Sequence, residues 1–95
     1  MDTKTFLSSK LENFKRFCQD RLPAKLERFR SEVNSLTVEQ LVLFTTVVLA
    51  PYRNDLMGYL NQMLSTYEVP KSEISNEDYR KMYRYLSCFC ETVLH

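Results

Sequence analysis

Few side chains in this sequence could do chemistry, and their spacing limits what they can do. Three cysteines, one histidine and one glycine stand among 95 residues. Cys88 and Cys90 flank Phe89 in what looks like a metal-binding pair. On a helix, residues two apart point about 200° away from each other, so the two thiols cannot share one ion. Cys90 falls on the apolar face and reads as core. Cys88 faces outward, with Arg84 one turn before it and His95 two turns after. A nearby cation favours the thiolate, which makes Cys88 a candidate reactive thiol. A zinc site built from Cys18, Cys88, Cys90 and His95 is the weaker reading, because the four are scattered.

His95 is the last residue, and no Ser/His/Asp or Cys/His constellation forms around it. The carboxylates Glu12, Asp20, Glu27, Glu32, Glu77 and Asp78 fall on charged helix faces and read as solvated. Gly58 alone cannot make a glycine-rich phosphate loop. The expectation is therefore no enzyme, no metal and no cofactor.

Two clusters remain. The basic residues Lys10, Lys15, Arg16, Arg21, Lys25 and Arg28, with Arg30, are dense in the first thirty positions, and Phe14, Phe17 and Phe29 lie among them. Phosphate binding needs cations gathered on one surface. On a helical wheel these scatter, so solvated helix charge is the favoured reading and nucleic-acid binding the alternative. If nucleic acid is bound, affinity falls steeply with salt and on charge reversal of Lys15 and Arg21. The second cluster is aromatic: six Tyr and six Phe with no Trp. Phe6, Phe17, Tyr52, Tyr59 and Tyr85 sit at or near the edges of apolar stripes. Phe6 and Phe17 either widen a core face or form an aromatic–basic ridge. Tyrosine suits interfaces, since it joins large contact area to a polar tip. These five are the candidate partner contacts.

The elements that would hold them are helices. One glycine leaves little material for tight hairpins, which argues against strands. Residues 3–22 carry an apolar stripe of Leu7, Leu11, Phe14, Cys18 and Leu22 at helical spacing. After Pro23, Leu26, Phe29, Val33 and Leu36 stay nearly in phase with it, so one long helix kinked at Pro23 is expected. Thr37 with Gln40 forms a capping box, and Leu36 with Leu41 a hydrophobic staple. From Leu41 to Ala50 only Thr45 and Thr46 are polar. A helix apolar nearly all round must be surrounded. It is too short for a bilayer, which needs roughly 20 apolar residues. Five of its residues are β-branched, which keeps a strand as the lesser reading. A second bent helix is expected across Pro51, ending near Tyr67. The two prolines would face each other in an antiparallel hairpin. Ser75 with Asp78 caps a last amphipathic helix, stapled by Ile74 and Tyr79. Its inner face carries Tyr79, Met82, Tyr83, Leu86, Phe89, Cys90, Val93 and Leu94.

Apolar content of 44% and charged content of 26% fit one globular domain. Net charge is +1, which gives no reason to expect an acidic partner. It divides unevenly: residues 1–36 hold eight basic and five acidic groups, residues 37–74 two and four. An odd, scattered set of cysteines and a polar start without an apolar leader predict a reducing, intracellular setting, cytoplasmic or nuclear. The chain thus reads as a single all-α bundle of four to five segments. The expected function is a non-enzymatic interaction or assembly module, an adapter or subunit that is self-associating or part of a complex. No membrane contact is expected.

Overall fold

Side chains mark where the helices start. The computed structural model describes residues 2–47, 51 and 55–94, apart from the side chains of residues 56 and 94. Asp2 accepts the Thr5 amide at 2.7 Å and opens α1, Thr3–Arg21. Thr37 and Gln40 bond reciprocally: the Gln40 amide donates to Thr37 Oγ1 at 3.1 Å, and the Thr37 amide to Gln40 Oε1 at 2.9 Å. This capping box opens α3, Val38–Val47. Ser75 accepts the Asp78 amide at 3.1 Å at the start of α5, Asn76–Leu94. α2, Glu27–Ser35, has no side-chain cap and grows out of a single 3₁₀ turn, Ala24–Leu26. α4 covers Leu56–Thr66.

The fold is an all-α helical bundle, and the described residues hold no strand. Leu41–Val47 is helix; residues 48–50 lie outside the described set. Two joints differ from the sequence expectation. α1 does not bend at Pro23 and continue. Leu22 has ψ 146° and Pro23 ψ 149°, both extended, as the steric clash of a proline with its predecessor demands. α2 then turns back beside α1. The Gln19 Nε2 amide donates to the Arg30 carbonyl at 3.0 Å, and Arg30 Nη2 donates to the Gln19 carbonyl at 2.9 Å. Nor is the stretch from Thr37 to Tyr67 one bent helix. Asp55, at φ −145° and ψ 76°, is outside helical geometry and caps α4 by accepting the Gly58 amide at 3.0 Å. The expected bend at Pro51, and the alignment of the two prolines, fall on residues outside those described.

α4 ends in a Schellman turn. The Val69 amide donates to the Leu64 carbonyl at 2.9 Å and the Glu68 amide to the Ser65 carbonyl at 3.0 Å. Glu68 sits at φ 55°, the left-handed region that normally takes glycine.

α5 packs against α1, α3 and α4, so it is the hub of the bundle rather than the central apolar run. Its inner face supplies Tyr79, Met82, Leu86, Phe89 and Cys90 to the core. α1 lies antiparallel to it: Arg21 reaches Asp78, and Phe17 stacks on Tyr85. The whole predicted α1 stripe is buried, as are Leu26, Phe29 and Val33. Thr45 is the one buried polar side chain among the described residues. Its hydroxyl donates to the Leu41 carbonyl at 2.8 Å and lies 3.5 Å from the Tyr59 hydroxyl. A buried hydroxyl without a partner would cost about 1–3 kcal/mol, so this bond lets α3 turn a threonine inward.

Candidate functional site

The five aromatic contact candidates do not form one surface. Tyr59 is 1% exposed and belongs to the core, with Phe44 edge-on to its ring at 6.1 Å. Phe17 is also core. Its ring meets Tyr85 at 5.5 Å, tilted by 45°. Phe6 is half-buried, with the Lys10 ammonium 5.1 Å above its ring. Tyr85 is half-buried. Tyr52 lies outside the described residues. The edge position of Tyr59 and Phe17 on the wheel misled because α5 and α3 cover more of α4 and α1 than a narrow stripe implies.

The exposed apolar surface lies elsewhere. Leu43 is 63% and Val47 67% exposed, one turn apart on the outer side of α3. The same helix buries Leu41 and Thr45 on its inner side and half-buries Val42 and Phe44. The described part of the apolar run, residues 41–47, is therefore enclosed on one side only. Beside Leu43 lies a cleft of about 540 Å³ walled by α2, α3 and α4. Leu36, Leu41, Phe44, Met63 and Tyr67 make its apolar lining, Leu43 and Val47 stand on its rim, and Glu32, Ser35, Gln40 and Thr66 make its polar edge. Among the described residues no basic side chain lines it. A more open hollow of about 550 Å³ lies on the other flank of Leu43, between α3 and the start of α1. Leu36, Gln40, Leu43 and Val47 recur at steps of four, three and four.

The basic residues separate into two groups. Lys15 reaches Glu12 at 3.8 Å, Arg28 reaches Glu68 at 3.2 Å, and Lys25 pairs with Glu73. These cations tie the chain to itself. Lys10, Arg16 and Arg21 border a groove between α1 and α5, together with Lys81 and Arg84 of α5, and of these Arg21 and Lys81 are also ion-paired. Both α5 cations were missed as partners of the N-terminal set, because their approach depends on how α1 packs against α5.

The shifted ionisable groups lie inside. Burial pushes the Cys18 thiol up to about 12. Burial likewise pushes Cys90 up to about 12, against hydrogen bonding with Tyr59 and Thr45 that lowers it. The Tyr59 phenol is also raised, mainly by burial. All three stay neutral and sealed in the core, out of reach of a substrate. Cys88 is half-buried and lines the α1–α5 groove beside Lys10 and Arg84. Among the described residues no three His, Cys, Asp or Glu side chains come together as metal ligands. None of the described helices is long and apolar enough to cross a membrane. No family model matches the sequence, and comparison with curated proteins and with solved structures finds no significant match.

Proposed function

We propose that this chain is a non-enzymatic protein–protein interaction module that self-associates through the outer face of α3. The observation that carries this reading is the joint exposure of Leu43 and Val47 beside an apolar cleft. Large apolar side chains left in water next to a recess mark an interaction site. The occupant that fits is a second copy of the chain. Leu43 and Val47 form an exposed rim of the cleft, so one patch carries both apolar projections and the recess they border, and a two-fold interface needs such a self-complementary patch. Charge does not oppose the pairing strongly: Glu39, at the start of α3, is 3.6 Å from Lys4 of the same chain.

The energy of such a dimer can be bounded. Full burial of a leucine or valine is worth roughly 1.5–3 kcal/mol. For side chains about two-thirds exposed, the gain is roughly 1–2 kcal/mol each, or roughly 4–8 kcal/mol for the four in a dimer. Association costs roughly 4–15 kcal/mol in lost freedom. The net gain is then at most about 4 kcal/mol, so a dimer resting on these side chains alone is weak and reversible, with a dissociation constant of about 1 mM or above. The test is solution mass by light scattering over a concentration series. A rise from monomer towards dimer mass supports the reading, and monomer mass at all concentrations up to the millimolar range rejects it.

A further inference from the structure

We infer that the groove between α1 and α5 binds the phosphate backbone of single-stranded nucleic acid. This function is separate from self-association, and the groove shares no lining residue with the α3 cleft.

The groove is two hollows in line, of about 300 and about 290 Å³, that meet at Asn13, Lys81 and Tyr85. Lys10, Lys81 and Arg84 surround the first, and no carboxylate of the described residues lines it. Arg16 and Arg21 border the second, which also holds Asp20. Two of these cations are already matched: Arg21 lies 3.4 Å from Asp78, and Lys81 lies 3.2 Å from Glu77. Lys10, Arg16 and Arg84 have no carboxylate within 4.0 Å among the described residues.

The chain as a whole carries only +1, and elsewhere Lys4, Lys15, Lys25 and Arg28 each sit against an acid. Lys10, Arg16 and Arg84 line this one groove, while the other described cations without a carboxylate partner, Arg30, Lys71 and Arg80, lie outside it. Like charges held around one hollow repel, and an anion there relieves the repulsion. The antiparallel packing of α1 on α5 fixes the spacing of the cations.

Length points to a strand rather than a single phosphate. Lys10 and Arg21 are eleven residues apart on α1, about 16 Å along the axis, which is the reach of a few nucleotides. Tyr85 stands half-buried where the two hollows meet, and an aromatic ring within a basic groove is the usual platform for an unpaired base. A cleft between two packed helices admits one strand and excludes the width of a duplex. The three unmatched cations predict a slope of log affinity against log salt of about −2, at about −0.7 per neutralised phosphate.

The experiment is fluorescence anisotropy of a labelled oligouridylate at low salt. Four forms are compared: the unaltered chain, the Lys10→Glu/Arg84→Glu variant, the Lys25→Glu/Arg28→Glu variant and Tyr85→Leu. The two double variants carry the same change in charge. The groove variant is expected to lose at least tenfold in affinity and most of the salt slope. The control is expected to stay within twofold, and Tyr85→Leu to weaken binding without changing the slope. Should the charge reversals disturb folding, seen by circular dichroism, Lys10→Gln/Arg84→Gln gives the same comparison. Equal losses in groove and control variants would reduce the effect to net charge and overturn the proposal. So would equally tight binding of the matching duplex, or equal competition by polyglutamate, which would make the groove a seat for acidic polypeptide. No measurable binding of the oligouridylate also overturns it.

Discussion

Replacing Leu43 with alanine separates an interface residue from a core residue on the same helix. Leu43 is 63% exposed, so within one chain it touches little. Removing it should leave the stability of the isolated monomer within about 0.5 kcal/mol, as for most surface substitutions. In a two-fold dimer the loss is counted twice. At roughly 1–1.5 kcal/mol per side chain, the dimer loses roughly 2–3 kcal/mol. With tenfold per 1.4 kcal/mol, the dissociation constant rises by roughly 30- to 150-fold. Leu41, two residues away and 2% exposed, gives the contrasting case. Leu41→Ala opens a cavity and should cost roughly 2–5 kcal/mol of monomer stability. Light scattering on a concentration series reads the first effect, and urea unfolding at a dilution that favours monomer reads the second. The reasoning is refuted if Leu43→Ala leaves the mass-against-concentration curve unmoved. It also fails if Leu43→Ala destabilises the monomer as much as Leu41→Ala, because Leu43 would then lie beneath another part of its own chain.

Three further outcomes follow from the core and the caps. Cys88 should react with a maleimide in the native protein well before Cys18 and Cys90, which are fully buried; mass spectrometry of the labelled chain gives the order. Stability should fall in alkali. The Cys18 and Cys90 thiols, raised from 9.0 to about 12, remain protonated in the fold while the unfolded chain releases their protons above about pH 9. Their contribution is therefore complete below pH 9 and lost between pH 9 and about 12, at up to about 1.4 kcal/mol per pH unit per group. Denaturant midpoints across that range, compared with a Cys18→Ala chain, measure it. Asp55→Ala removes the acceptor for the Gly58 amide and should cost about 1 kcal/mol, readable as a lower thermal midpoint.

Much of this fold can be read along the chain because its signals are local. Thr37 with Gln40 and Ser75 with Asp78 both cap helices where three-residue spacing predicts. The α1 and α5 stripes bury the residues that helical period selects. The joints were less legible. Leu22 before Pro23 can bend a helix or leave it, and that choice is settled by whether α2 finds Gln19 to clasp. Asp55 is a good capping residue type, but the apolar spacing that continues from Leu41 to Tyr67 points to one element and hides the cap. The candidate surfaces were hardest to see. Periodicity shows that Leu43 and Val47 are apolar but not whether anything lies against them. The pairing of Arg28 with Glu68 and Lys25 with Glu73, and the approach of Lys10 to Arg84, depend on distant parts of the chain folding together.

The turn after α4 ties the shape of the α3 cleft to a single backbone torsion. The chain's sole glycine, Gly58, lies inside α4, while the position at φ 55° is filled by Glu68. A side chain with a β-carbon held there stores about 1 kcal/mol or more. Release of that torsion would break the Val69–Leu64 bond and free the end of α4, which carries Met63 and Tyr67, two walls of the cleft. The turn thus braces the end of α4 and, with it, the Met63 and Tyr67 wall of the cleft.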